Sequence, residues 1–132
     1  MVKFIGRLEK IYFKNLDLKL KAKIDTGAWS SSIHVDGVEI DGDELVFWIG
    51  ENKWRYKEYS EVTVKNSFGH EQQRYLIKLK IKIGIKKYNL LVTLADRKKM
   101  KYPCLIGRSF LRKYSFLVDV RKKYVNDRFK KI

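Results

Sequence analysis

The sequence contains a single cysteine, Cys104, so no disulfide can form within the chain, which suits a reducing compartment. It has one proline and only eight glycines in 132 residues, leaving no Pro/Gly-rich linker at which to divide it. One domain spanning residues 1–132 is therefore expected. No uninterrupted apolar run approaches the roughly 20 residues of a membrane-spanning helix. The segment from Met1 to Arg7 lacks the apolar core and small-residue cleavage site of a secretory signal. Together these absences point to a cytoplasmic protein with no membrane partner. Acidic residues are also scarce: 15 Asp and Glu stand against 30 Lys and Arg, a formal net charge of +15. Such a field draws in anions, whether nucleic acid, an anionic membrane or a peptide rich in Glu and Asp. The same lysines also read as solvent-facing strand positions that discourage edge-to-edge pairing. Charge alone names no partner.

What is present is a core-forming apolar content of 45%, arranged with a period of two. Leu16, Leu18, Leu20, Ala22 and Ile24 alternate with Asp17, Lys19, Lys21 and Lys23. Tyr75, Ile77, Leu79, Ile81 and Ile83 alternate in the same way with Lys78, Lys80 and Lys82. Between these half-buried strands the pattern predicts a strand over Ile33–Ile40 and another over Leu45–Ile49, joined at Asp41-Gly42-Asp43 as a hairpin. Glu61–Lys65 reads as a further strand turning at Asn66-Ser67-Phe68-Gly69. Lys86–Leu94 continues the sheet, and Phe116–Val120 ends it. The one helix expected is short, from about Arg108 to Lys113. The fold class is all-β, closed into a barrel so that sheet edges are removed. Residues from about 125 form a basic tail, Arg128 to Lys131, read as solvated.

Chemistry is concentrated where the first alternating strand ends, at Asp25-Thr26-Gly27-Ala28. Gly27 permits a tight turn and close approach of another backbone. Thr26 can brace the turn and keep Asp25 aimed at one place. Two carboxylates brought about 3 Å apart cannot both ionise and share a proton. Such a pair holds a water, one carboxylate acting as general base and the other as general acid. Asp-Thr-Gly occurs once and Asp-Ser-Gly not at all, so a dyad built from this motif needs two chains related by a twofold axis. An Asp-Thr-Gly tripeptide alone also fits a turn-capping aspartate.

The longer stretch Asp25-Thr26-Gly27-Ala28-Trp29-Ser30-Ser31-Ser32-Ile33-His34 resembles the DTGA-x-(T/S)-S-x-(L/I)-H segment of a prokaryotic retropepsin-like aspartic peptidase family. Its members are often labelled "ATP-dependent zinc protease" and include RimB-type partners of RimK-like glutamate ligases. Arg74-Tyr75-Leu76-Ile77, Val92 to Arg97, Leu105-Ile106-Gly107-Arg108 and Phe116 to Val120 resemble later blocks of that family in the same order, from about Ile11 to Tyr124 overall. The resemblance implies a homodimeric retropepsin-like barrel with Asp25 catalytic and Thr26 and Gly27 shaping its loop. It implies that Ile106, Gly107 and Arg108 support that loop. Ala28, Trp29, His34 and Arg74 are then candidates for the substrate cleft. A hairpin flap is expected between about Trp54 and Arg74, its tip near Asn66 to Gly69. The substrate implied is an acidic or glutamate-rich peptide.

Two positions depart from the pattern. Trp29 stands where the family often has Arg and viral retropepsins have Asp, which leaves Arg108 without its usual carboxylate partner. Ser30 replaces a more usual Thr. The family label is not supported by the residues themselves: no G-x-x-x-x-G-K-[ST] loop is present for ATP. His70-Glu71-Gln72-Gln73-Arg74 begins like H-E-x-x-H but ends in Arg, beside a turn. No cofactor and no metal are expected. His34 also reads as a strand histidine held by a structural hydrogen bond, Arg74 as the partner of a carboxylate, and Cys104 as core. Trp48, Trp54, Tyr56 and Tyr59 could stack bases, so a non-catalytic barrel binding nucleic acid or acidic peptide is the competing, less favoured reading.

Overall fold

A computed structural model describes residues 3–66 and 68–126; the basic segment from Arg128 to Lys131 and Ser67 lie outside the described residues. Eleven strands and one helix follow in order. They are β1 (Lys3–Phe13), β2 (Leu18–Ile24), β3 (Ser31–His34), β4 (Gly37–Asp41), β5 (Glu44–Ile49), β6 (Asn52–Tyr56), β7 (Ser60–Lys65), β8 (Glu71–Ile83), β9 (Lys86–Ala95), β10 (Cys104–Ile106), α1 (Arg108–Lys113) and β11 (Phe116–Lys123).

Eight of the strands form one sheet in the order β11-β1-β2-β10-β3-β9-β8-β7, and β1 also pairs with β8 through Tyr12↔Lys82 and Phe13↔Ile81. That second pairing closes β1, β2, β10, β3, β9 and β8 into a six-stranded barrel, so the all-β retropepsin-like reading holds. The alternating positions explain the closure. Ala22 and Ile24 of β2, Ile77, Leu79 and Ile81 of β8, and Leu90 and Val92 of β9 are buried in one core with Ile33 and Ile106. Lys19, Lys21, Lys23, Lys78 and Lys80 at the intervening positions stay exposed. Turn chemistry sets the hairpins: Gly84 has φ +64 in the two-residue link between Ile83 and its register partner Lys86.

A separate three-stranded sheet, β4-β5-β6, is inserted between β3 and β7. Its Leu45 and Phe47 join the barrel core, and Phe47 stacks on Trp54 at 5.4 Å. The expected single strand over Ile33–Ile40 is therefore two strands in different sheets. Val35 donates to the Ala95 carbonyl at 2.9 Å, while Asp36 donates to that of Trp48 at 2.8 Å, so the chain changes sheet between them. Trp54 accordingly belongs to β6 and not to the flap. The hairpin expected from the sequence to serve as a flap is present as β7–β8, paired from Ser60↔Leu76 to Lys65↔Glu71.

Candidate active site

Asp25 sits one residue beyond β2, and β10 holds it there. Strand β10 lies between the two strands that flank the Asp25 loop, parallel to β2 (Ile106↔Ile24) and antiparallel to β3 (Cys104↔Ile33). The Asp25 N–H donates to the Ile106 carbonyl at 2.9 Å, extending that pairing by one residue. The loop then turns on its own side chain: Asp25 Oδ1 accepts the Gly27 N–H at 2.9 Å, and the Asp25 carbonyl accepts the Ala28 N–H at 3.2 Å. A Cβ at Gly27 would approach Asp25 Oδ1 to 3.2 Å, a tight contact that would press on the carboxylate where it lies across the turn. Asp25 is half-buried, and Thr26 and Gly27 are exposed. No cation lies within ion-pair distance of Asp25 among the described residues.

The segment Ile106-Gly107-Arg108 buttresses this loop from behind. Arg108 N–H donates to the Ala28 carbonyl at 2.6 Å, and Ser109 N–H donates to that of Trp29 at 3.1 Å. Gly107 N–H donates to Ser31 Oγ at 3.0 Å. Any Cβ at Gly107 would fall 2.5 Å from the Ser30 carbonyl oxygen and 2.7 Å from that of Trp29. Arg108 finds its partner without a carboxylate: Nη1 donates to the Thr26 carbonyl at 2.7 Å, and Cζ lies 5.5 Å from the Trp29 ring centroid. The departure at Trp29 thus replaces an ion pair with a cation–π contact on an exposed indole. Trp29 itself is 55% exposed and stands beside the Asp25 loop.

His34 is committed to the framework. Its Nδ1 accepts the Arg97 backbone N–H at 2.8 Å, which puts the ring proton on Nε2, 2.8 Å from Asp36 Oδ1. Asp36 Oδ2 in turn accepts the Gly50 N–H, and that bond, then His34, holds the Asp36 carboxyl below its ordinary value. Arg74 lies on β8, half-buried, with Nε donating to Gln72 Oε1 at 2.9 Å and Nη1 reaching Thr93 Oγ1 at 3.3 Å. Among the described residues no carboxylate pairs with it. Cys104 is fully buried, and burial pushes its thiol up to about 12, so it is core and not a nucleophile.

The structure brings Asp25, Thr26, Gly27, Ala28, Trp29, Gly107 and Arg108 into one bonded unit. Sequence reasoning passed over Arg97, Ser31 and Ser32, which complete it. Arg97 Nη1 donates to Ser32 Oγ at 3.1 Å and Nε to the Tyr102 carbonyl at 3.1 Å. Two serines and a threonine buried in strands β3 and β9 were the available signal: Ser31, Ser32 and Thr93 are each 3% exposed or less, and a buried hydroxyl needs a partner. The hairpin tip is tied by Asn66, whose Oδ1 accepts the N–H groups of Phe68 and His70 at 2.9 and 3.0 Å. Phe68 at that tip is 84% exposed.

Residues 4–129 match the family described as "RimB-like: Retropepsin-like aspartic endopeptidase RimB". A Desulfotalea psychrophila protein named "Probable alpha-L-glutamate ligase" is 30% identical over 120 residues, covering 80% of this chain and 26% of its own length. The chain therefore spans about a quarter of that relative. The crystal structure of Legionella pneumophila protein Lpg0085, titled as of unknown function, superposes with a TM-score of 0.75 at 29% identity. The match covers 94% of this chain and 98% of that one.

Proposed function

The chain belongs to the RimB-like family of retropepsin-like aspartic endopeptidases, and on that premise we propose that it hydrolyses peptide bonds as a homodimer, with a dyad formed by Asp25 of each copy. The observation that carries this reading is the Asp25 loop itself. Its carboxylate is fixed by Gly27 N–H on one oxygen, without an ion-pair partner among the described residues, and its Thr26-Gly27 face is open. The Thr26 hydroxyl has no partner within the chain among the described residues, as expected of a loop that meets a second copy.

Two such carboxylates hold one proton and one water between them. The ionised carboxylate takes a proton from the water as its oxygen bonds to the scissile carbonyl carbon. The protonated one donates to the carbonyl oxygen, and the tetrahedral adduct collapses with proton transfer to the leaving amine. Each hydrolysis consumes one water and leaves the dyad with the single proton it began with. The β7–β8 hairpin with exposed Phe68 is suited to close over an extended substrate and exclude bulk water. At the other end of the sheet β11 leaves an edge unpaired among the described residues, where exposed Leu117 is paired with exposed Phe4, an apolar spot suited to a second copy.

The substrate class follows from charge. A +15 chain concentrates acidic peptides, and the ligase name of the Desulfotalea relative supports a substrate carrying added glutamates. The test incubates wild type and Asp25→Asn with a diverse peptide pool and with glutamate-tailed peptides, from acid to neutral pH. Mass spectrometry should show products from wild type alone. Equal cleavage by both proteins would remove Asp25 from catalysis. Tight, salt-sensitive nucleic-acid binding with no cleavage would favour the binding-module reading instead.

A further inference from the structure

Two half-buried arginines have no ion-pair partner among the described residues. Arg74 projects from the flap strand β8 and Arg97 follows the end of β9. Their anchors are register neighbours: Ser32, which accepts from Arg97, is paired with Thr93, which accepts from Arg74, across the parallel β3–β9 ladder. Partners in such a ladder point to the same face of the sheet, so the two guanidinium groups converge on one face. Ser32 is also paired with Leu105 of β10, the strand that holds Asp25. Strand β10 also carries Ile106, whose carbonyl accepts the Asp25 N–H, and the Asp25 charge acts favourably on Arg97 through space.

Placing two cations here is unfavourable. Both side chains are half-buried; burial, then the charge of Arg97, lowers the pKa of Arg74, and burial lowers that of Arg97. Neither has an acidic partner within 4 Å among the described residues. Asp96, next to Arg97 in sequence, instead accepts the Lys98 N–H at 3.0 Å and is exposed. The framework nevertheless holds both groups in place. Arg97 is held by Ser32, the Tyr102 carbonyl and its own N–H on His34, and Arg74 by Gln72 and Thr93. Each guanidinium engages Nε and Nη1 in this way and keeps Nη2 for another acceptor. Arg74 also borders an open groove of about 410 Å³ along the flap hairpin, with Val64, Lys65 and His70.

We propose that Arg74 and Arg97 form a carboxylate receptor in the substrate cleft, which selects a glutamyl or aspartyl residue adjoining the scissile bond. This inference rests on the peptidase reading for its meaning but not for its test. A carboxylate arriving between the two groups removes their mutual repulsion and accepts charge-assisted hydrogen bonds from a preset pair of donors. It also explains why His34 is built in: with both ring nitrogens used, it is a positioning residue that fixes the backbone carrying Arg97. The carboxylate could belong to a side chain or to a chain terminus, and the probes separate these sources.

The unsubstituted full chain is titrated with N-acetylglutamate amide, N-acetylglutamine amide and N-acetylglutamine, while the arginine Nε–H resonances are followed by NMR. The first probe carries only a side-chain carboxylate, the second none, the third only a terminal one. The expected result is that N-acetylglutamate amide shifts the Arg74 and Arg97 signals and binds about tenfold more tightly than the neutral probe. That preference should vanish in Arg74→Gln and in Arg97→Gln, and persist in Lys78→Gln, which removes an exposed charge from the same strand. Preference for N-acetylglutamine would keep the receptor and assign it to a chain terminus, overturning the side-chain selection. Equal binding of all three probes, absence of binding, or loss of the preference in Lys78→Gln would overturn the receptor. These readouts need no turnover, so failure of the Asp25 peptidase reading would show separately, as cleavage insensitive to Asp25→Asn.

Discussion

Replacing Gly107 with alanine should damage the Asp25 loop from behind, through backbone contacts and without altering a side chain of that loop. Gly107 has φ −92 and ψ 176, extended backbone that alanine adopts freely, so the effect is one of space alone. The added Cβ would lie 2.5 Å from the Ser30 carbonyl oxygen and 2.7 Å from that of Trp29, where ordinary contact begins at 3.4 Å. Relief requires a displacement of about 0.9 Å (3.4 minus 2.5), and what must move is backbone, not a flexible side-chain tip. That backbone continues into Ala28, whose carbonyl holds Arg108, and so into Asp25. Overpacking of this kind costs about 1–3 kcal/mol. In a domain of this size that lowers the melting temperature by roughly 3–15 °C. The assay pairs thermal unfolding with peptide cleavage at a temperature where the variant stays folded. Activity should fall by more than the folded fraction does, because a shift of about 1 Å at a catalytic group can cost about a hundredfold in rate. Gly42→Ala is the control: its φ of +65 makes it strained, but nothing lies within 4 Å and it is remote in sequence from the loop. Wild-type stability and activity in Gly107→Ala would refute the reasoning.

Two other buried groups give independent checks. Glu9 is fully buried, and burial raises its carboxyl above the ordinary 4.5 despite N–H donors from Gly6 and Asn126. The folded chain therefore holds the proton longer than the unfolded one. Stability from this group is full below about 4.5 and declines as pH rises through the raised value. Glu9→Gln should flatten that decline in denaturant midpoints measured from pH 4 to 7, and an unchanged slope would contradict the assignment. Cys104, with its thiol at about 12, should resist alkylation at pH 8 in the native state and react fully in denaturant. Rapid native labelling would show that β10 opens far more readily than its packing implies.

The alternating strands were legible because one side of the barrel faces water and the other faces the core. Lys19, Lys21 and Lys23 against Leu20, Ala22 and Ile24 state the register of β2 outright. The short helix was legible from Gly107 onward, and the flap hairpin from its Asn66-to-Gly69 turn. Strand β1 was missed because its period breaks. The register shifts between Gly6 and Leu8, a Cβ at Gly6 would run into the Lys122 carbonyl, and Glu9 is buried where a charged residue reads as exposed. The fusion of β3 with β4 had a visible warning, since the apolar parity of Ile33 and Val35 changes to that of Val38 and Ile40. Strand β6 carries no such pattern; it is placed by Trp54 and Tyr56 packing on Phe47. Asp25 and its loop were legible as a motif. Arg97 was not, because its role depends on Ser32 and Tyr102, brought to it only by the closed sheet.

The central claim is that each active site draws one Asp25 from each of two copies, and subunit mixing tests it most directly. Wild type and Asp25→Asn are combined in equal amounts, allowed to exchange and assayed against wild type alone at the same total concentration. Random pairing makes about a quarter of the dimers wild type on both sides, and the shared dyad predicts about that residual activity. Residual activity of about half, the value for a site complete within one chain, would contradict it.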